Sequence, residues 1–505
     1  MTLPTSLARH TLIAALVCAA LSPFSASAAS PFAGSLSKQW TFSHSGGVTG
    51  EIPAFDALTN TVWVAGVVGV DVLNASTGSL IQHISTSSWG SINSVAIHNG
   101  IAAFAIESST KTDPGVVKLF DTGTRSLLSG TNSFAVGALP DMLTFTPDGS
   151  RLLVANEGTP STYGTRIGTS VPRVYGAPAN DPVGSVSIID MNTRSLLATA
   201  NFAGVAQTGS NIRTNTGMDF EPEYITVNAA GTQAYVGLQE ANAMAVLDLQ
   251  TNSFSKVVGL GYKDFSAPGN SIDPLNNGTV SFGSHNVKGL YMPDGMAAYD
   301  VAGKTYVVMA NEGDFREDDG DRSTAGSLGA ASPLNNLRVS NTDSSAGNYF
   351  AAGARSFSIR DSDGNLIFDS GDQLDRKAAE LGIYDDGRSR DKGVEPEGVT
   401  IKEINGKTYA FIGLERTTQG AVAVYDITDP ANAFMVDMIV TPGDVAPEGL
   451  TVFEQGGMNY LAIANETSNT TTLYALAPVP EPGSWAMLLA GLGLLGFMAR
   501  KSRKA

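Results

Sequence analysis

The 505-residue chain is poor in several residue types, and each shortage excludes a class of site. It has one cysteine, Cys18, and five histidines. Cys18 falls in an N-terminal segment that we expect to be removed. The mature chain then has no thiol for a disulfide, a thiolate metal site or a cysteine nucleophile. The four histidines that remain are far apart in the sequence, which disfavours a histidine-based zinc site.

Positive charge is also scarce. The chain has 31 lysines and arginines against 48 acidic residues, and its formal net charge is −17. Nucleic-acid binding requires a basic surface, so we predict no nucleic-acid partner. Apolar residues make up 42% of the chain, which excludes a disordered protein. Its 55 glycines, with abundant serine, threonine and valine, favour β structure.

The N-terminus has the pattern of a secretory signal peptide. Arg9 precedes an apolar run at residues 11–21, and Ala26-Ser27-Ala28 supplies small residues for cleavage. We predict a signal peptide at residues 1–28, cut after Ala28, because the three parts come in the required order. A short buried helix is the alternative.

The C-terminus has a second pattern that is typical of a targeting segment. Pro480, Glu481 and Pro482 precede an apolar run at 483–498 and a basic cluster at 500–504. The run is marginal for a bilayer core of roughly 30 Å, and the basic cluster would stay on the cytoplasmic side. A plain membrane anchor is one reading of this transmembrane tail.

Residues 479–505 also resemble the PEP-CTERM sorting signal of Gram-negative bacteria. The resemblance implies processing by an exosortase at Pro480-Glu481-Pro482 and transient anchoring in the membrane. It further implies release or attachment outside the cell, at the outer surface or in the extracellular matrix. The predicted body of the protein is therefore residues 29–478.

Seven segments of this body share one pattern. A proline–acid pair leads into an apolar strand, a turn and a second strand that ends in an acidic residue. The copies start at residues 53, 93, 140, 222, 293, 396 and 447, and the first two are incomplete.

We predict an all-β fold, a seven-bladed β-propeller with long insertions near 159–185, 250–290 and 314–395. A strand near residues 39–42 would complete the last blade and cover its edge. Six or eight blades, or a pair of β-sandwiches, are the alternatives.

The repeat gathers acidic residues on one face, because consecutive strands are antiparallel. Carboxylate and amide oxygens are the ligands that Ca²⁺ prefers. We therefore predict a calcium site at this mouth. The candidate ligands are Asp141, Glu157, Glu223, Asp294, Glu312, Glu397, Glu448 and Glu466. The alternative is that these acids only cap turns at the corners of the blades.

The longest insertion contains two further features. Residues 361–365 (DSDGN) predict a hairpin turn rather than a calcium loop, since the spacing departs from that of an EF-hand. Arg316, Arg388 and Arg390 are candidate phosphate-binding residues, or else they neutralise the acidic mouth.

Five segments resemble the choice-of-anchor I family, whose shared body occurs with different surface anchors. The segments are 153–158 (LVANEG), 221–225 (EPEYI), 310–314 (ANEGD), 361–365 (DSDGN) and 395–399 (EPEGV). The resemblance covers roughly residues 36–477 and implies a WD40/YVTN-like propeller. It implies no single activity. Some relatives carry alkaline-phosphatase or phytase-like names, and others resemble animal cell-surface glycoproteins.

Two functions are compatible with the sequence. The first is an exported, surface- or matrix-associated protein that binds calcium and a ligand such as a polysaccharide or a small phosphorylated molecule. The second is a calcium-dependent phosphoesterase. No serine nucleophile elbow, Walker loop, Rossmann fingerprint or HExxH motif is present, but a metal-dependent phosphohydrolase needs none of them.

Overall fold

Short apolar strands, separated by turns rich in glycine and asparagine, make up almost all of the regular structure. The computed structural model describes residues 36–161, 180–214, 220–316 and 318–476. The predicted signal peptide and the predicted sorting tail lie outside these ranges. Within them, no helix has the length and hydropathy needed to cross a membrane.

After strand β1 (Leu36–Ser43), the chain forms seven successive sheets, I to VII. Sheet I contains β2 (Ile52–Asp56), β3 (Thr61–Gly66), β4 (Gly69–Asn74) and β5 (Leu80–Ser85). Sheet II contains β6 (Ile92–His98), β7 (Ile101–Ile106), β8 (Pro114–Asp121), the short β9 (Ser126–Leu127) and β10 (Ser133–Ala138). Sheet III contains β11 (Pro140–Phe145), β12 (Arg151–Asn156), β13 (Ser185–Asp190) and β14 (Ser195–Asn201).

Sheet IV has a parallel edge strand and four antiparallel strands. It contains β15 (Gln207–Ser210), β16 (Ile225–Val227), β17 (Gln233–Leu238), β18 (Ala243–Asp248) and β19 (Ser253–Leu260). An accessory sheet joins β20 (Tyr262–Asp264) and β21 (Val287–Leu290) to a later strand. Sheet V opens with β22 (Met296–Val301) and β23 (Lys304–Asn311).

A long insertion then interrupts sheet V. It contains α1 (Asp318–Asp321), the paired strands β24 (Arg322–Thr324) and β25 (Arg338–Ser340), and β26 (Tyr349–Ala351) of the accessory sheet. Two 3₁₀ helices, Ala325–Leu328 and Leu334–Asn336, lie between β24 and β25. Sheet V resumes with β27 (Ser356–Asp361) and β28 (Leu366–Asp369), after which come α2 (Gln373–Glu380) and a 3₁₀ helix at Asp386–Arg388.

The last two sheets follow without large insertions. Sheet VI contains β29 (Pro396–Ile404), β30 (Lys407–Leu414), β31 (Gly420–Asp426) and β32 (Phe434–Thr441), with a 3₁₀ helix at Pro430–Asn432. Sheet VII contains β33 (Pro447–Gln455), β34 (Met458–Asn465), β35 (Thr470–Leu476) and, beside β35, the N-terminal β1. The predicted pairing of a strand near residues 39–42 with the last sheet is confirmed.

One strand of each of the seven sheets takes part in a closed cycle of contacts. These strands, called the first strands from here on, are β2, β6, β11, β16, β22, β29 and β33. Each contacts the next in this order, and β33 of sheet VII contacts β2 of sheet I. Apolar side chains fill the space between neighbouring sheets, as where Trp63 meets Phe104 and Phe357 meets Tyr425. The all-β prediction is confirmed. That the seven sheets are the blades of one propeller stays our interpretation of this arrangement.

A buried hydrogen-bond relay joins sheet VII to sheet I. His44, just after β1, lies 2.8 Å from Asp71 Oδ2 through Nδ1 and 2.8 Å from Thr471 Oγ1 through Nε2. Asp71 belongs to β4 and Thr471 to β35, and all three residues are buried. Buried polar groups stabilise a fold only when they are paired, and here the pairing ties the two ends of the cycle together.

The predicted extents of two insertions were wrong. The predicted 250–290 insertion includes β19, the last antiparallel strand of sheet IV, and the predicted 314–395 insertion includes β27 and β28. The second error arises because the true insertion of sheet V, residues 312–355, falls between its second and third strands, β23 and β27. The repeat pattern of sheet V ends at β23, so β27 and β28 could not be recognised from it. The 361–365 segment is the predicted hairpin turn, in which Asp361 accepts hydrogen bonds from the amides of Asp363 and Asn365.

Candidate functional site

The proline–acid corners share an unusual backbone. In sheets III, VI and VII the strand register shifts between the proline and the third residue after it, which is the signature of a β-bulge. The residue before the proline has a positive φ at four corners. These residues are Leu139, Met292, Glu395 and Ala446, with φ between 44° and 59°. Non-glycine residues seldom adopt this conformation. The bulge and this backbone turn together set the direction of the acidic side chain that follows.

A glycine after the acid lets neighbouring first strands come close. A methyl group at Gly398 would overlap the carbonyl oxygen of Glu448, and one at Gly449 would overlap that of Glu51. A methyl group at Gly295 would likewise overlap the carbonyl oxygen of Glu397, and the amide of Gly295 donates a hydrogen bond to this oxygen at 3.2 Å. The close approach places the acid of one sheet beside the acid of the next.

The acids converge on one cavity of about 490 Å³, which we call the central cavity. All five proline–acid residues line it. Its acidic lining residues are Asp141, Glu223, Asp294, Glu312, Asp314, Glu395, Glu397, Glu415 and Glu448. Its other lining residues are Gln239, Arg322, Arg388, Lys392 and Arg416. Six of the eight predicted calcium ligands therefore lie around one space.

The other two predicted ligands lie elsewhere. Glu157 belongs to a separate group of carboxyls with Glu221 and Glu240. Glu466 is exposed and is not among the described residues that line the central cavity. Its backbone follows the same pattern as the other copies, since its amide bonds the carbonyl of Ala446 at 2.8 Å. The repeat therefore predicted the backbone conformation at Glu466 correctly, but it did not predict that the side chain is exposed.

Several acidic residues that border these sites were not among the predicted ligands, and three of them lie next to the corners of the repeat. Glu395 and Glu221 each precede the proline of a corner, and both are almost completely buried. Glu51 lies two residues before Pro53, in the copy that has no proline–acid pair, and its charge acts on Asp141 and Glu448. A signal for Glu221 and Glu395 was present in the sequence. Two corners, residues 221–223 and 395–397, read EPE, so each has an acidic residue on both sides of its proline.

Burial and crowding raise the pKa of most of the acids in the central cavity. Burial, and then the charges of Glu157 and Glu107, raises the pKa of Asp141 to about 8. Burial, and then Glu312 and Glu395, raises the pKa of Glu415 to about 8. The pKa values of four further acids lie well above their usual range, because burial and neighbouring carboxylates disfavour ionisation. These acids are Glu223, Asp294, Glu397 and Glu448.

Three of the basic residues that line the cavity pair with its acids. Lys392 Nζ lies 2.6 Å from Glu312 Oε1 and 3.1 Å from Glu395 Oε2, and Arg388 Nη2 lies 2.5 Å from Glu395 Oε1. Arg416 Nη2 lies 2.7 Å from Glu415 Oε1. All three bases come from the segment between residues 388 and 416.

The three predicted phosphate-binding arginines are in different surroundings. Arg388 lines the central cavity while it pairs with Glu395. Arg316 is buried, with Nη2 at 2.6 Å from Asp181 Oδ1 and 2.9 Å from Glu221 Oε1. Arg390 is not among the described residues that line the cavity. Of the three, Arg388 is placed where it could bind a phosphate in the central cavity. Its ion pair with Glu395 also fits the alternative that it only neutralises an acid of the cavity.

Several carboxylate oxygens in the cavity are buried without a hydrogen-bond partner among the described residues. They are Oε2 of Glu223, Oε2 of Glu397 and Oε2 of Glu448. Two sets of three acids also bring single oxygens within 4.8 Å of one another: Asp294 with Glu312 and Glu397, and Glu312 with Glu395 and Glu415. Ligand oxygens across one calcium ion are at most about 4.6–5.2 Å apart, twice the usual bond length. Both sets therefore fit around a calcium ion.

The model of the choice-of-anchor I domain matches residues 51–430. The chain belongs to the choice-of-anchor I family. The PEP-CTERM protein-sorting motif matches residues 478–504. No curated protein matches. A chain in a solved structure titled "Crystal Structure of Mitotic Checkpoint Complex" is similar at 10% identity and a TM-score of 0.45, over 86% of this chain and 93% of that one.

Membership of the choice-of-anchor I family, together with the sorting motif, fixes the destination of the protein. It is exported and sorted to the cell surface, and its tail is processed by sorting machinery of the exosortase type. The family match spans the first strands of sheets I to VI and all but one of the acids that line the central cavity.

Proposed function

We propose that this choice-of-anchor I protein is a surface-sorted calcium-binding protein, with the ion held in the central cavity. The observation that carries the proposal is the set of buried, unpartnered oxygens on Glu223, Glu397 and Glu448 in a cavity lined by nine acids. A buried carboxylate without a partner costs free energy, and a bound cation removes that cost.

Calcium is the cation that the donors favour. The cavity offers carboxylate oxygens and the amide of Gln239, and no thiol or imidazole is among its described lining residues. Hard oxygen donors select Ca²⁺, Mg²⁺ or Mn²⁺ over softer metals. A cavity of about 490 Å³ with many carboxylates suits the six to eight ligands of Ca²⁺ better than the compact octahedron of Mg²⁺.

The bound calcium would also present a site for an anionic extracellular ligand. Side chains of Arg388 and Arg416 are 29% and 44% exposed, so the cavity has an accessible basic edge. An ion that keeps open coordination positions beside this edge would bind carboxylates of a polysaccharide or a phosphorylated molecule. Metal coordination and the arginine side chains would then act on the same anionic group.

A calcium-dependent phosphoesterase is the second candidate function. It is favoured by one observation, that Arg388 lines the same cavity as the carboxylates of Asp294 and Glu397. A metal ion held by carboxylates, with an arginine for the phosphoryl oxygens, is a sufficient set of groups for metal-assisted hydrolysis.

The proposal is tested by thermal melting of the full-length protein in chelator and in calcium. We expect calcium to raise the melting temperature of the wild type, and Glu397→Gln to lose most of that increase. Glu403→Gln is the matched control, because Glu403 lies on the same strand but is exposed. An identical calcium response in the wild type and in Glu397→Gln would contradict the proposal. Phosphomonoester hydrolysis that is lost in chelator and in Glu397→Gln would favour the esterase.

A further inference from the structure

Three carboxyl groups converge outside the central cavity, between sheets III and IV. Glu157 follows β12, Glu221 precedes the proline that leads into β16, and Glu240 follows β17. One carboxylate oxygen of each lies within 4.8 Å of those of the other two. None of the three is among the described residues that line the central cavity.

The surroundings of this group leave one oxygen unsatisfied. Glu240 is only 9% exposed, and its Oε2 is buried without a hydrogen-bond partner among the described residues. The nearby guanidinium of Arg213 does not serve it, since Nη1 donates to the main-chain carbonyl of Glu240 at 2.8 Å and Nε pairs with Asp343 at 2.9 Å.

The two other carboxyls have partners that hold them in place. The hydroxyl of Thr159 donates to Glu157 Oε1, and Arg316 Nη2 pairs with Glu221 Oε1 at 2.9 Å. Arg316 also pairs with the buried Asp181, at 2.6 Å. The single charge of Arg316 is therefore shared between two carboxylates. Thr159 and Arg316 fix the orientation of Glu157 and Glu221, and the one charge of Arg316 leaves the group able to take up a further cation.

We propose that Glu157, Glu221 and Glu240 form a second calcium site, separate from the one in the central cavity. Three converging carboxylates, one of them with a buried and unpartnered oxygen, are the donors of a hard divalent cation. Their separation is within the span of one calcium coordination sphere, about 4.6–5.2 Å. The ion would bridge the ends of β12 in sheet III and β17 in sheet IV, and the two sites share no residue.

The test is calcium-binding stoichiometry of the full-length protein by isothermal titration calorimetry, after removal of metal with chelator. Loss of a residue that only supports a metal site costs about 10–100-fold in affinity, so loss of a ligand should cost at least that. We expect Glu240→Gln to lose one class of sites and keep the other. Glu397→Gln should lose the complementary class, and the double variant should lose both.

The outcomes separate this inference from the proposed function. Wild-type stoichiometry and affinity in a folded Glu240→Gln protein would overturn the second site, whatever Glu397→Gln does. Absence of calcium binding in the wild type would overturn both. Glu157→Gln is a second variant in case Glu240→Gln does not fold, because Glu157 is only half-buried and its change leaves the Arg316–Glu221 pair intact. Retention of both classes of sites in Glu157→Gln would likewise overturn the inference.

Discussion

Lys392 Nζ lies 2.6 Å from Glu312 Oε1, so a cation of the chain itself already occupies one edge of the central cavity. Both side chains are about nine-tenths buried. Burial alone would lower the pKa of Lys392, but Glu312 and Glu395 raise it well above the usual range. The chain thus neutralises part of the negative charge of its cavity itself, and the calcium ion that we propose would bind beside Lys392 and balance the charge that remains.

Replacement of this lysine should make the fold depend on calcium. We expect Lys392→Met to lower the free energy of unfolding in chelator by about 3–5 kcal/mol, the usual cost of removing one partner of a buried ion pair. Calcium should restore much of this loss, because a divalent ion can replace the missing charge. Denaturant unfolding with and without calcium checks both parts. Equal losses in chelator and in calcium would contradict the account.

The close approach of first strands should make Gly398 irreplaceable. A methyl group at Gly398 would overlap the carbonyl oxygen of Glu448, whereas one at Gly237 would meet no atom closer than Met296 Sδ at 3.4 Å. We expect Gly398→Ala to lower the free energy of unfolding by at least about 1–3 kcal/mol, the usual cost of overpacking. Gly237→Ala, also in a buried part of the chain, should cost less. Urea denaturation of the two variants makes the comparison, and equal stability would show that the strands can separate freely.

The hydrogen-bond relay of His44 should contribute to closure of the cycle of sheets. His44→Ala leaves Asp71 Oδ2 and Thr471 Oγ1 without their imidazole partner. We expect it to cost about 1–3 kcal/mol, the price of an unsatisfied buried group. His83 is the matched control, because it bonds the other oxygen of the same Asp71 at 2.8 Å but is 38% exposed. A cost for His83→Ala as large as that for His44→Ala, measured by denaturant unfolding, would argue against a role in closure.

Raised carboxyl pKa values predict an unusual pH dependence of stability. Between about pH 4 and pH 8 the folded protein keeps protons on Asp141, Glu240 and Glu415 that the unfolded chain has released, since each pKa is raised to about 8. The free energy of unfolding in chelator should therefore fall as the pH rises across this range. We expect a fall of more than roughly 1.4 kcal/mol, the value of one pKa unit.

Calcium should remove or reverse this trend, because carboxylates bind metal only when they are deprotonated. Denaturant unfolding at pH 5 and pH 8, in chelator and in calcium, gives the four values needed. Asp141→Asn should flatten the trend in chelator. A metal-free protein that becomes more stable as the pH rises would show that the acids are not crowded in the way described.

Much of this fold could be predicted from the sequence because its signals are local. Turns such as the one at Asn405-Gly406 follow the first strands, and the proline–acid pair recurs in five of the seven copies, so that strand pairing follows from local patterns. The insertion at 312–355 was misjudged, because β27 and β28 return to sheet V only through long-range pairing with β23. No local pattern marks that return.

The site was predictable in outline for the same reason. Residues that occupy the same position in successive copies converge in the folded chain, which brought Asp141 and Glu397 to one cavity. The burial of Arg316 against Asp181 was not predictable, because the two lie far apart in the sequence and meet only in the folded chain. The exposure of Glu466 likewise depends on what packs near the corner of sheet VII, which the repeat does not determine.

The central claim is that calcium occupies the acidic cavity, and the most direct test is its location by anomalous diffraction. Crystals of the full-length protein grown with calcium should show an anomalous peak between Asp294, Glu312 and Glu397, the three acids whose oxygens lie within 4.8 Å. The peak should be absent from crystals of Glu397→Gln. A cavity without an anomalous peak in wild-type crystals at saturating calcium would contradict the account.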